Sequence, residues 1–176
     1  SDMEAVEALP KQAIEVMGSV DILVNNAGIT RDNLFMRMSD EEWSDVISVN
    51  LTATFKLCKG VMRGMMKSRW GRIINISSIS RAGNIGQSNY AAAKSGVAAL
   101  TTTWARELAR FQIRCAAIAP GVFETEMVAS MKPEAHERIT SAVPLQRTGA
   151  VEELAHAINF IVENDYFSGR ILELDG

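Results

Sequence analysis

This chain offers little that could bind a metal or form a disulfide. Cysteine occurs twice, at Cys58 and Cys115, and histidine twice, at His136 and His156. There is no Cys-x-x-Cys pair, so neither a structural zinc site nor a disulfide framework is expected. Both histidines fall in helical segments and read as surface or packing residues. A basic excess is also missing. The formal net charge is -3, which gives no footprint for nucleic acid or an anionic membrane. No apolar run approaches the roughly 20 residues of a membrane span. The opening SDMEAVEALP is acidic rather than basic and does not suit a secretory signal. A cytoplasmic setting is expected. Internal repeats and low-complexity stretches are absent. Before Asn25 the only glycine is Gly18, and nothing there has the form Gly-x-x-x-Gly-x-Gly.

What is present is an ordinary globular composition, 47% hydrophobic and 22% charged over 176 residues, enough for one buried core. Asp2 to Met17 has a helical apolar face (Val6, Leu9, Ala13, Val16) stopped by Gly18. Pro10 is expected to kink or break it. Asp21 to Val24 is a continuous apolar run, as in a strand buried on both faces. Ser39 and Glu42 form a capping box, and helical character runs on to about Ser68. Arg72 to Ile76 and Ile113 to Ala119 read as strands, with a helix from Ser88 to Phe111 between them. Val122 to Pro144 is irregular, with a short helix near Pro133 to Ile139. A helix from Val151 to Asn164 and a strand from Arg170 to Leu174 complete the chain. Met62, Met65 and Met66 read as interface or core packing. The alternation predicts an α/β fold, a doubly wound parallel sheet. In such sheets ligands sit beyond the carboxyl ends of the strands. Asn25 to Gly28, Ser77-Ser78 and Pro120-Gly121 each follow a strand directly.

The most informative stretch is NISSISRAGNIGQSNYAAAK, Asn75 to Lys94. Tyr90 and Lys94 lie one helical turn apart on one face. A nearby ammonium favours the phenolate, so Lys94 is expected to lower the Tyr90 pKa. A tyrosine tuned this way exchanges a proton near neutral pH. A hydroxyl from Ser77 or Ser78 could hold the oxygen that receives it.

These motifs, in this order, resemble the short-chain dehydrogenases/reductases: Asn25-Asn26-Ala27-Gly28, Asn50, the serine pair, Tyr90-Ala91-Ala92-Ala93-Lys94 and Pro120-Gly121. VDILVNNAGITRDNLFMRMSDEEW and GQSNYAAAKSGV are especially similar to the β-ketoacyl-[acyl-carrier-protein] reductases; acetoacetyl-CoA reductases have similar motifs. The resemblance implies a Rossmann-like fold over residues 1–176, read as one partial domain. It implies NADP as cofactor, with NAD not excluded, and reduction of a 3-oxoacyl thioester to the (3R)-hydroxyacyl product in fatty acid biosynthesis. Tyr90 would be the general acid, and Lys94 would tune it and bind the nicotinamide ribose. A serine would hydrogen-bond the substrate carbonyl, and Asn50 would hold a water of the proton relay. Asn26, Ala27 and Gly28 would pass close to the adenosine ribose. Pro120, Gly121, Phe123 and Thr125 would line the nicotinamide end. The segment from Val122 to about Pro144 would be the substrate lid. The helices around Asn50–Ser68 and Ser88–Phe111 would pair in a homo-oligomer, a dimer or tetramer.

The chain departs from that pattern in three ways. Ser78 to Tyr90 is one residue shorter than the family's gap; Ser77 fits the count, Ser78 the position after the strand. Ser78 with a shortened loop is the assignment carried forward. Arg69 matches a basic position used for acyl carrier protein, but Phe111 stands at the other, beside Arg110, which gives a CoA thioester weight. The phosphate-binding start of the family is absent, which is expected to expose the edge of the Asp21–Val24 strand. This also admits a reading of another class: a non-catalytic remnant that folds and oligomerises. Another short-chain dehydrogenase acting on a small alcohol or ketone is a further alternative.

Overall fold

The computed structural model describes residues 2–176, apart from the side chain of Met127. Four strands, β1 (Ile22–Asn25), β2 (Gly71–Ile76), β3 (Ile113–Pro120) and β4 (Ile171–Leu174), form one sheet in that order. Every pairing is parallel. The helices are α1 (Met3–Met17), α2 (Asp40–Ile47), α3 (Ala53–Ser68), α4 (Ser88–Leu108), α5 (Glu126–Ala129), α6 (Pro133–Ser141) and α7 (Val151–Glu163).

Side chains alternate across the sheet, and each face has its own core. On one face Ile73, Ile113 and Cys115 pack against Cys58, Val61 and Met65 of α3 and Ala105 and Leu108 of α4. On the other, Ile74, Ile76, Ala116 and Ile118 meet Ala157 and Ile161 of α7. All six residues of β2 are buried. This is the doubly wound α/β arrangement. A polar ladder also crosses it. Asn25 Nδ2 donates to Asn75 Oδ1 at 2.8 Å, Asn75 Nδ2 to Thr101 Oγ1 at 2.8 Å, and Thr101 Oγ1 to the Val97 carbonyl at 2.8 Å. It ties β1 to β2 and β2 to α4 with paired buried donors. At the opposite end of the strands, Arg72 and Arg114 hold the last carbonyls of α7. Arg114 reaches Ile161 and Val162 at 2.8 Å, and both arginines reach Asp165.

Three features differ from the sequence-based expectation. First, α1 runs unbroken through Pro10. The ring is the helix's one buried residue and seats on Gly60 of α3, where an added Cβ would lie 2.5 Å from Pro10 Cγ. Close packing against a side-chain-free notch offsets the amide hydrogen bond that proline cannot make. Second, β1 is not buried on both faces: Ile22 and Val24 are exposed. It is an edge strand, and α7 covers only β2 to β4 on that face. Third, the helix after Ser39 is not regular. Its capping box forms as expected, but Ser48–Thr52 makes a π turn between α2 and α3. The segment 122–144 gains an extra short helix, α5, whose first turn Thr125 caps through Oγ1.

Candidate active site

The parallel register ends β1, β2 and β3 along one edge, so the residues that follow them share a rim. There a cleft of about 490 Å³ opens, lined by Asn26, Gly28, Ile29, Thr30, Arg31, Ser78, Tyr90, Lys94, Pro120 and Gly121 among others. Its size is within the range of small-molecule sites. Tyr90 and Lys94 enter from the first two turns of α4, where their spacing puts them on one face.

The serine pair divides its work. Ser77 is buried, and its Oγ donates to the Lys94 carbonyl at 2.9 Å, fastening β2 to α4. Ser78 has an extended backbone, its Oγ accepts from the Ser80 amide at 3.1 Å, and its side chain stands close enough to Tyr90 to favour the ionised phenol. The residue that faces the phenol is therefore Ser78.

Lys94 is 4% exposed. Its Nζ donates to the Ile76 carbonyl at 2.7 Å and stands 5.6 Å from the centre of the Tyr90 ring. Burial pulls its pKa down to about 8. The tyrosine goes the other way. Burial pushes the phenol above its ordinary value, the Ser78 side chain opposes this, and the Asp32 carboxylate adds to the rise. The expected lowering of Tyr90 by Lys94 is thus not found. The ammonium is tied to the Ile76 carbonyl and lies over the ring, and burial outweighs it at the phenol. A half-buried phenol that keeps its proton can still donate it to a polarised oxygen.

Asn50 sits in the π turn and is 1% exposed. Its Oδ1 accepts from the Ile29 amide at 2.8 Å and its Nδ2 donates to the Ile29 carbonyl at 2.9 Å. The carboxamide so pins the strap that follows β1. Gly28 lies in that strap, where a Cβ would come within 3.3 Å of Asn50 Oδ1 and 3.5 Å of Lys94 Nζ. Glycine keeps this wall thin.

Not every expected residue reaches the cleft. Ala27 lines a separate apolar cavity beneath α1 and β1, with Leu9, Ala13 and Leu57. Phe123 turns away into a smaller cavity of about 130 Å³, pressed against Gly149. Its backbone bridges Gly149, which holds it there. Thr125 is spent on capping α5. The side chains of these three thus lie outside the cleft, because neighbouring segments take them first. The sequence reading missed Asn89, fully buried beside Tyr90. It lies in phase with Ala93, Val97, Thr101 and Ala105, all buried on α4. A polar residue in step with such a stripe was the available signal.

Comparison with known proteins bears on this geometry. The profile of the family described as short chain dehydrogenase matches residues 1–136. The chain belongs to that family. It is accordingly an NAD(P)-dependent oxidoreductase. It is 48% identical to the 3-oxoacyl-[acyl-carrier-protein] reductase FabG of Vibrio cholerae, over 98% of this chain and 72% of the relative. The proteins of that name from Escherichia coli and Thermotoga maritima are 45% and 43% identical, over all of this chain and 73% of each. No helix among the described residues is long and apolar enough to cross a membrane.

The residues present fit the family's cofactor. The wall at Gly28 has no side chain to block approach, and Lys94 carries three donors of which one is used on Ile76. Asn26, Gly28, Tyr90, Lys94, Pro120 and Gly121 are the side of the cleft that would hold it.

Proposed function

We propose that the protein reduces a 3-oxoacyl thioester to the 3-hydroxyacyl thioester with NADPH, in cytoplasmic fatty acid biosynthesis. The observation that carries this reading is the meeting of Ser78, Tyr90 and Lys94 in one cleft at the carboxyl edge of the sheet. The similarity to 3-oxoacyl-[acyl-carrier-protein] reductases over nearly the whole chain supports the substrate class.

When bound, the reduced nicotinamide supplies the hydride. Tyr90 gives its phenolic proton to the carbonyl oxygen, and the Ser78 hydroxyl donates a hydrogen bond to the same oxygen. The raised phenol suits this direction, because the acid arrives protonated at neutral pH. Lys94 stands below with donors free for ribose hydroxyls. Asn50 holds the Ile29 strap against the ribose side.

The thioester is carried by acyl carrier protein docking near Arg69, or by CoA. Arg69 Nη2 donates to the Arg110 carbonyl at 3.0 Å, so two arginines stand together where an acidic partner could bind. The working form is a homo-oligomer, a dimer or tetramer.

The test is oxidation of NADPH, and separately NADH, by the 176-residue chain with acetoacetyl-CoA, beside a Tyr90→Phe variant. Activity that disappears with Tyr90→Phe supports the reading. Full activity in that variant sinks the mechanism. No activity in a folded wild-type chain favours the non-catalytic reading.

A further inference from the structure

We propose that Asn89 is a positioning residue that fixes Tyr90 against the 29–33 wall of the cleft. The inference rests on the reading of Tyr90 as proton donor. Helix α4 begins without a side-chain cap, because the carboxamide of its flanking residue, Gln87, is committed elsewhere. Gln87 Nε2 donates to Asp32 at 3.0 Å, and its Oε1 accepts from Asn84 at 2.9 Å. The first amides of a helix need other acceptors. Asn89 Oδ1 takes the Tyr90 amide at 2.8 Å. Its Nδ2 donates to the Arg31 carbonyl at 2.9 Å and the Glu42 carbonyl at 3.0 Å. One wholly buried carboxamide so uses both hydrogens and one oxygen on three elements.

These bonds belong to a larger seam. The Asn33 amide donates to the Gly86 carbonyl at 2.9 Å, Gln87 reaches Asp32, and Asn89 reaches Arg31. The wall descends from residue 33 to 31 as the other side climbs from 86 to 89. Asn89 is the innermost stitch and adjoins Tyr90 directly. Arg31 and Tyr90 both line the cleft, so the seam sets the distance between two of its walls. The bond to Glu42 also packs α2 on α4, and a purely structural role would end there.

The experiment separates the two. Asn89→Ala is compared with the wild-type chain in acetoacetyl-CoA reduction, with rates taken per folded molecule, and in thermal unfolding. A positioning role lowers kcat by about 100-fold, the scale of a 1 Å misplacement, with KM for NADPH within about twofold. A second readout needs no activity. The chain has two tyrosines, Tyr90 and the fully exposed Tyr166, so ring-labelled tyrosine gives two resolvable carbon signals. The midpoint of the Tyr90 signal should fall toward that of a free phenol in Asn89→Ala, as the wall moves off and water enters. Ser78, Lys94 and Asp32 act on that phenol and Arg31 lines the same cleft, and all four remain in the variant. Lost thermal stability with unchanged kcat and an unchanged Tyr90 midpoint overturns the proposal. If Asn89→Ala does not fold, Asn89→Ser keeps one donor and one acceptor, and the same two readouts decide. A wild-type chain without reductase activity would remove the reductase reading alone, and the Tyr90 signal would still judge Asn89.

Discussion

Lys94→Met should make the protein more stable and less active. Lys94 is nearly inaccessible, and burial lowers its pKa from the ordinary 10.5 to about 8. The unfolded chain holds this proton up to about pH 10.5, whereas the folded chain releases it near 8. Below pH 8 both states are charged, and only the folded one carries the desolvation cost. At roughly 1.4 kcal/mol per pH unit, that cost is about 3 kcal/mol. It is relieved as pH rises from 8 to 10.5, so this group's contribution to stability increases across that window. Methionine keeps the length and removes the charge, but forfeits the hydrogen bond to the Ile76 carbonyl, worth about 2 kcal/mol for a charged donor. The net gain is about 1 kcal/mol at pH 7, or a rise in Tm of about 2–4 °C for a chain of this size. Reductase activity should fall by at least about 100-fold, the lower range of acid–base assistance. Thermal unfolding of both proteins from pH 6 to 10, followed by circular dichroism, cancels the titrations they share. The stability difference should shrink and reverse above pH 8. A Met variant less stable than wild type at pH 7, or a difference flat with pH, refutes the reasoning.

The two serines should separate in kcat. Ser78→Ala should lower kcat by about 100-fold or more, the loss typical of one hydrogen bond to a developing oxyanion, beside a loss of about 1 kcal/mol from its cap on the Ser80 amide. Ser77→Ala should cost about 1 kcal/mol of stability alone, through its bond to Lys94, and exchanged outcomes would reverse their roles. Gly60→Ala should destabilise. Overpacking against Pro10 costs about 1–3 kcal/mol and exceeds the roughly 1 kcal/mol that alanine gains over glycine within a helix. The urea midpoint should drop at constant m; a more stable variant would show that the notch is slack.

The alternation of strands and helices was legible because each is coded locally, by apolar runs, by the Ser39–Glu42 box and by Gly18. Tyr90 and Lys94 were legible because one helical turn joins them. What stayed hidden depended on distant partners. Pro10 reads as a helix breaker until Gly60 is known to lie beneath it. Ile22 and Val24 look like the inside of a sheet, yet which faces are covered is decided by α7, some 130 residues on. Phe123 and Thr125 follow a strand as cleft residues should, but Gly149 and α5 claim them. Even the Tyr90–Lys94 pair misled on electrostatics, since the effect of the ammonium depends on Ile76, which sequence spacing does not reveal.

The π turn at Ser48–Thr52 carries a consequence for how this helix can change over time. Val46, Asn50, Thr54 and Cys58 are all buried and spaced by four. In a regular helix each residue turns about 100°, so three such steps would turn Cys58 about 120° away from the direction of Val46. The wider turn absorbs that drift. Deleting one residue there would yield a more regular helix and a chain that still looks helical, while swinging Asn50 off Ile29. Selection acting on helix quality alone would therefore erase the turn, and its persistence in a lineage would have to be kept by the strap it secures.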